Sequence, residues 1–188
     1  MRNLFRLLCL LGMMASLPAR SETAPPPPPK KDPEKAGQEL RLQALTTPAA
    51  KIHKAPTDQF PLVYGVLMDW PTGPAIATVF AGSSGVASLY TNTNFNVIGG
   101  EAHESVRLAA VKMVLVANRH FAAATPTQEF PYPAPGHVRF YLLTYDGVRV
   151  LDVEQSELKD GTSKYGELFD LGQAVMSELR MVYEKGKK

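Results

Sequence analysis

Residues 101–123 read EAHESVRLAAVKMVLVANRHFAA, and no other segment of the chain is as long or as strongly periodic. At the helical period, Val106, Ala109, Ala110, Met113, Val114, Ala117 and Phe121 fall on one apolar stripe. Leu108, Val111 and Leu115 form a second, narrower stripe on roughly the opposite side. Lys112 and Arg119 lie between the stripes on one flank, Arg107 and Asn118 on the other. Both stripes need cover, because exposed apolar surface costs roughly 25 cal/mol per Å². The alanine-rich side suits close approach of a sheet. The leucine side calls for another helix or a second subunit, which makes Leu108, Val111 and Leu115 candidate interface residues.

Working outward, the segments on either side of this helix read as strands. Before it, residues 62–68 (LVYGVLM), 75–81 (AIATVFA) and 86–91 (VASLYT) are short apolar runs rich in strand formers. Residues 69–74 (DWPTGP) and the GSSG at 82–85 read as the turns between them, giving an antiparallel meander. Residues 92–96 (NTNFN) look like another turn, after which Val97 and Ile98 pair briefly before Gly99 and Gly100. After the helix, residues 125–136 (TPTQEFPYPAPG) carry four prolines and read as an irregular surface crossing anchored by Phe130 and Tyr132. Residues 137–145 and 148–153 then flank Asp146-Gly147, which predicts a hairpin with a type I′ turn. Residues 156–164 are polar and turn-like. Leu168, Leu171, Val175, Leu179 and Val182 form a last helical stripe over 165–184, with Phe169, Met176 and Tyr183 beside it. The expected fold is α+β: an antiparallel sheet of about five strands, with helices mainly on one face.

The N-terminal third reads differently. Arg2 and Arg6 precede an apolar run at 7–17, followed by Pro18, Ala19, Arg20 and Ser21. That is the pattern of a secretory signal peptide over residues 1–21, with an uncleaved membrane anchor as its rival. The run is short for a membrane span, which needs about 20 apolar residues. Cleavage would remove Cys9, the single cysteine, and with it any disulfide or thiolate chemistry. Residues 22–59 read as a proline-rich linker: five consecutive prolines at 25–29, then a possible short helix at 34–45 with Leu40 and Leu45 on one side, weakened by Gly37. The domain is expected over 60–184, with a basic tail at 185–188. A formal charge of +2 gives no argument for nucleic acid.

Four stretches carry a resemblance: YGVLMDWP at 64–71, GVASLY at 85–90, VIGG at 97–100 and PGHVRFYLLTYDGVR at 135–149. Over residues 61–180 the chain resembles a group of small, functionally uncharacterised bacterial proteins. Its element order is also similar to the roadblock/longin and profilin-like folds, where meander, helix and hairpin scaffold protein contacts. Roadblock-type domains commonly dimerise, so that resemblance implies a homodimer. Neither resemblance implies a catalytic residue.

Chemistry-bearing residues are sparse. His103 and His120 share the long helix but stand seventeen residues apart, about 25 Å along its axis, too far to share an ion. With His53 and His137 elsewhere, no metal site is expected. Ser83 and Ser84 in GSSG do not form a nucleophile elbow. Glu101 and Glu104 after Gly99-Gly100 complement the helix dipole and would repel a phosphate. Asp146 is accounted for by its turn. The best binding candidates are Asp69 and Trp70 at the end of the first strand, with Phe130, Tyr132 and Arg139 around the proline-rich crossing.

These readings point to an exported, periplasmic or secreted, non-catalytic binding or scaffold domain, partnered by itself or by an envelope protein, with no cofactor and no catalytic residue. The membrane enters only if the N-terminal segment stays uncleaved. The alternative is a small-molecule sensor or enzyme with a pocket near Trp70 and residues 130–135.

Overall fold

A computed structural model describes residues 33–93 and 96–186. The expected signal peptide, the proline run and the last two lysines of the tail lie outside the described residues. Elements follow in the order α1 (Pro33–Thr46), β1 (Val63–Thr72), β2 (Ala75–Gly82), β3 (Ala87–Thr91), β4 (Asn96–Ile98), α2 (Glu104–Arg119), β5 (Thr125–Thr127), β6 (His137–Thr144), β7 (Gly147–Glu154), α3 (Gln155–Lys159) and α4 (Gly166–Lys185). Short 3₁₀ turns stand at Ala49–Ile52, Gly100–Ala102 and Phe121–Ala123. No helix among the described residues is long and apolar enough to cross a membrane.

The strands form one antiparallel sheet of seven, in the order β4-β3-β2-β1-β6-β7-β5. The expected meander and hairpin are its five central strands. The two additional strands are three-residue edges, too short to leave a period in the sequence. The proline-rich crossing is therefore regular at its start, where Thr125, Pro126 and Thr127 pair with Val150, Arg149 and Val148. Pro126 is tolerated because an edge strand leaves one side of its backbone unpaired. Residues 69–72, expected in a turn, instead prolong β1, and only Gly73 and Pro74 lie between the paired Thr72 and Ala75. Pro71 fits there because β1 has already passed the end of its pairing with β6 at Asp69–Arg139. The second hairpin forms where expected but with another turn. Thr144 pairs with Gly147, so Tyr145 and Asp146 are the central residues. The positive φ, 133°, falls on Gly147. A type I′ turn needs positive φ at both central residues, and here neither has it. Residues 155–159, expected in a turn, make the short helix α3.

Both faces of the sheet are covered. Val66 and Met68 of β1, Val79 of β2 and Phe140 and Leu142 of β6 face α2 and α4 in the main core. Leu67, Tyr141 and Leu143 project to the other face, where they meet Leu45 of α1 and Ala49. Two covered faces explain why β1 and β6 read as unbroken apolar runs and not as alternating strands. The helix α2 is shorter than expected, since its flanks tighten into 3₁₀ turns. Val106, Ala110, Met113, Val114 and Ala117 of its first stripe are buried as the period requires, with Ala109 and Phe121 half-buried. α4 runs antiparallel to it: Arg119 pairs with Glu167 at one end (2.9 Å), while Leu179 packs beside Gly100 and Val106 at the other. Gly172 lets α4 approach the sheet, since a Cβ there would stand 2.6 Å from the sulfur of Met68 on β1.

The largest departure from the sequence reading is α1. Residues 22–59 were expected to be a linker with a possible short helix at 34–45; that helix forms as α1, but it belongs to the same compact unit as the sheet. Its buried face is Gly37, Arg41 and Leu45, one turn apart each, and Leu40 is only partly buried. Gly37, which lowers helix propensity, has a packing reason: a Cβ would lie 2.8 Å from the Thr91 carbonyl oxygen.

Candidate binding site

Adjacent residues on a strand point to opposite faces, and this separates the expected site. Asp69 projects towards α1. Trp70 projects the other way, its ring edge-on to Phe169 of α4 at 5.2 Å between centroids. Among the described residues, Trp70 and Phe130 therefore lie on opposite faces of the sheet and line different clefts. Asp69, Phe130, Tyr132 and Arg139 do come together, around a residue the sequence reading passed over, Arg41.

Arg41 is 3% exposed and Asp69 0%. The guanidinium donates to the carboxylate through Nη2 to Oδ2 (2.5 Å) and through Nε, which reaches both Oδ2 (2.9 Å) and Oδ1 (3.2 Å). Thr78 Oγ1, cross-strand from Asp69, donates to Oδ1 at 2.6 Å. Arg41 also donates through Nη1 to the Phe130 carbonyl (2.9 Å) and lies over the Tyr132 ring at 4.2 Å. Removal from water pushes the Asp69 carboxyl above its ordinary value, against the pull of Arg41 and Thr78. Burial opposes the charge on Arg41, but the hydrogen bond and charge of Asp69 outweigh it and hold the guanidinium above its ordinary value.

The same cluster orders the proline-rich crossing. Proline lacks an N–H, so such a backbone offers carbonyls and few donors. Arg41 takes the Phe130 carbonyl, and Tyr141 Oη donates to the Pro131 carbonyl at 2.5 Å. Arg139 Nη1 reaches the Pro131 and Tyr132 carbonyls at 3.1 and 3.3 Å. Its Nε donates to Asp152 at 2.7 Å, and that same carboxylate meets His137 Nδ1 at 2.7 Å. Arg139 therefore does not pair with Asp69, although it stands opposite it in the sheet.

Beside this clamp lies a cleft of about 490 Å³, between the end of α1 and the β6–β7 hairpin. Its apolar wall includes Leu45, Ala49, Tyr64, Phe130, Tyr145 and Val148. Tyr64 and Tyr145 stack at 5.5 Å with their planes 45° apart. Their hydroxyls are committed to the backbone: Tyr145 Oη donates to the Phe60 carbonyl (2.8 Å) and Tyr64 Oη to that of Thr47 (3.4 Å). Burial pushes both phenols above their ordinary values, with Tyr145 adding to the effect at Tyr64, so both stay neutral near pH 7. Of the binding candidates chosen from sequence, Phe130 reaches this cleft, and Asp146, assigned there to its turn, also lines it. Tyr64 and Tyr145 sit in strand-like runs, and nothing in the pattern distinguishes a cleft tyrosine from a core one.

The proposed interface stripe divides. Val111 and Leu115 are partly buried against the helical core, whereas Leu108 is 49% exposed. Among the described residues, no group of three or more His, Cys, Asp or Glu side chains comes together as a metal site would require. Comparison with family models, with curated proteins and with solved structures finds no match to this chain.

Proposed function

We propose that this is an exported binding domain of roadblock/longin- or profilin-like topology that seats an apolar group of an envelope protein partner in the cleft beside α1. The observation that carries the reading is the cleft itself, whose 490 Å³ falls within the ordinary range of ligand sites. The non-catalytic part is supported by the neighbouring ionisable groups. Arg41 and Asp69 are spent on each other and on the backbone, which leaves neither poised for proton transfer. Export rests on the signal-like residues 1–21. The test is a titration with the apolar dye anilinonaphthalene sulfonate. It should bind saturably and about tenfold more weakly to Val148→Glu, with circular dichroism checking that the variant keeps its fold. Equal binding by the variant would remove the cleft from the proposal.

Self-association is a second part of the reading, favoured by Leu108 on α2 and Met181 on the adjoining α4, 49% and 44% exposed. A homodimer joined there should show twice the monomer mass by light scattering. Leu108→Glu should return it to the monomer mass while keeping the fold, because that side chain is 49% exposed. An unchanged mass for the variant would place any interface elsewhere.

A further inference from the structure

We infer, on the proposed role of the cleft beside α1 as the binding site, that the proline-rich crossing at residues 128–136 is a latched wall of that cleft. Arg139, which does not line the cleft, is then a positioning residue that sets its affinity through the latch. Phe130 is the link. It belongs to the crossing, it lines the cleft, and its ring stands edge-on to Tyr141 at 5.8 Å between centroids. Whatever moves the crossing therefore moves one apolar wall of the cleft.

The crossing is held by side chains. β5 ends at Thr127 and β6 starts at His137, so the segment lies outside the strand pairing. Pro131, Pro133 and Pro135 remove every second N–H. Donors from Arg41, Tyr141 and Arg139 take the consecutive carbonyls of Phe130, Pro131 and Tyr132. Arg41 and Tyr141 are buried. Arg139 is not: its side chain is 21% exposed, and that of its partner Asp152 36%. An ion pair in contact with water adds little to global stability, so this fastening opens while the domain stays folded. At the far end stands Gly136, with φ at 81° and no neighbour within 4 Å of where a Cβ would stand, a conformation and a clearance suited to a hinge. The Arg41 clamp is thus the anchor, and the Arg139–Asp152 pair the release point. With the pair closed, Phe130 is a fixed wall. With it open, an occupant of the cleft loses part of that contact. Binding and latching favour one another by the same factor, as linkage requires.

The experiment titrates the full-length parent, Arg139→Gln and Asp152→Asn with anilinonaphthalene sulfonate. In parallel it follows cleavage after Glu129 by a glutamate-specific protease, with and without the dye. Both variants should bind about fivefold more weakly than the parent, the low end of coupling between sites. Both should be cut faster after Glu129, and the dye should slow that cut in the parent, because cleavage tracks the population of the open form. Circular dichroism checks each fold, and either variant suffices if the other fails to fold. The two substitutions change charge in opposite senses. Weaker binding in one with tighter binding in the other would report only the field felt by the anionic dye, and overturns the latch. Equal affinity of the parent and the folded variants overturns the latch and leaves the cleft reading in place. No saturable binding by the parent overturns the cleft reading and the latch with it.

Discussion

Arg41→Ala is expected to cost about 3–5 kcal/mol of stability at pH 7, the range for removing one partner of a buried ion pair. The carboxylate of Asp69 is fully buried, and Thr78 would be its one remaining side-chain donor. The same change also releases the Phe130 carbonyl and the Tyr132 ring, which loosens the proline-rich crossing. Replacing both partners, as in Arg41→Met with Asp69→Leu, should be far milder, near neutral, because no buried charge is then left behind. The deficit also has a signed dependence on pH. Burial raises Asp69 above its ordinary value in the folded state, so the native protein binds the proton more tightly than the unfolded chain does. Stability from this group therefore falls as pH rises between the unfolded and folded values, and rises on acidification across that interval. Without Arg41 the folded value moves higher still, and the interval widens towards neutrality. Urea unfolding of Arg41→Ala at pH 7 and pH 5 should show a smaller deficit at pH 5. A deficit that is equal or larger at pH 5 would refute the assignment of Asp69 as the stranded charge.

Met113→Ala is expected to cost about 2–5 kcal/mol, the range for truncating a large core side chain. Met113 is 0% exposed on the sheet-facing stripe of α2. Its methyl lies 3.3 Å from where a Cβ on Gly172 would stand, and the Met68 sulfur lies 2.6 Å from the same point. Three elements converge there, β1, α2 and α4. They leave little freedom to collapse onto a void, and the cavity term adds to the lost transfer energy. Chemical denaturation should show a lower midpoint with an unchanged slope. A loss under about 0.5 kcal/mol would mean that the neighbours close the space completely.

How legible the molecule was follows the range of the interactions involved. The helix α2 and the stripe from Leu168 to Leu179 on α4 announce themselves through spacing that recurs along the chain, and both are buried as that spacing requires. Strands β1, β2, β3, β6 and β7 could be read because each is long enough to show its composition. Of the three-residue edges, β4 was read as a brief pairing of Val97 and Ile98, while β5 was not read, since three residues carry no period and Pro126 argues against a strand until its outer side is known to be unpaired. The turn at Asp146-Gly147 was placed correctly and typed wrongly. The dipeptide favours positive φ at two positions, and pairing of Thr144 with Gly147 moved the bend by one residue.

The candidate site shows the same division. Asp69, Phe130, Tyr132 and Arg139 stood out as polar and aromatic residues near strand ends, and four of the five chosen side chains do share one face. Trp70 was grouped with Asp69 because it follows it in sequence, and that adjacency on a strand is what separates them by the thickness of the sheet. Arg41 drew no reading from the sequence, because nothing local distinguishes a buried arginine from an exposed one.

By itself, then, the sequence determined the long helices and the five longer strands, the α+β class, and the face that α2 turns to its core. These depend on residues near one another in the chain, where periodicity and turn chemistry act. Only the tertiary structure decided that α1 seals the second face, that Arg41 and Asp69 meet across 28 positions, and that clefts open on both sides of the sheet. Such pairings exist only once the sheet order is set, because the energy of burying a charge depends on the partner waiting there.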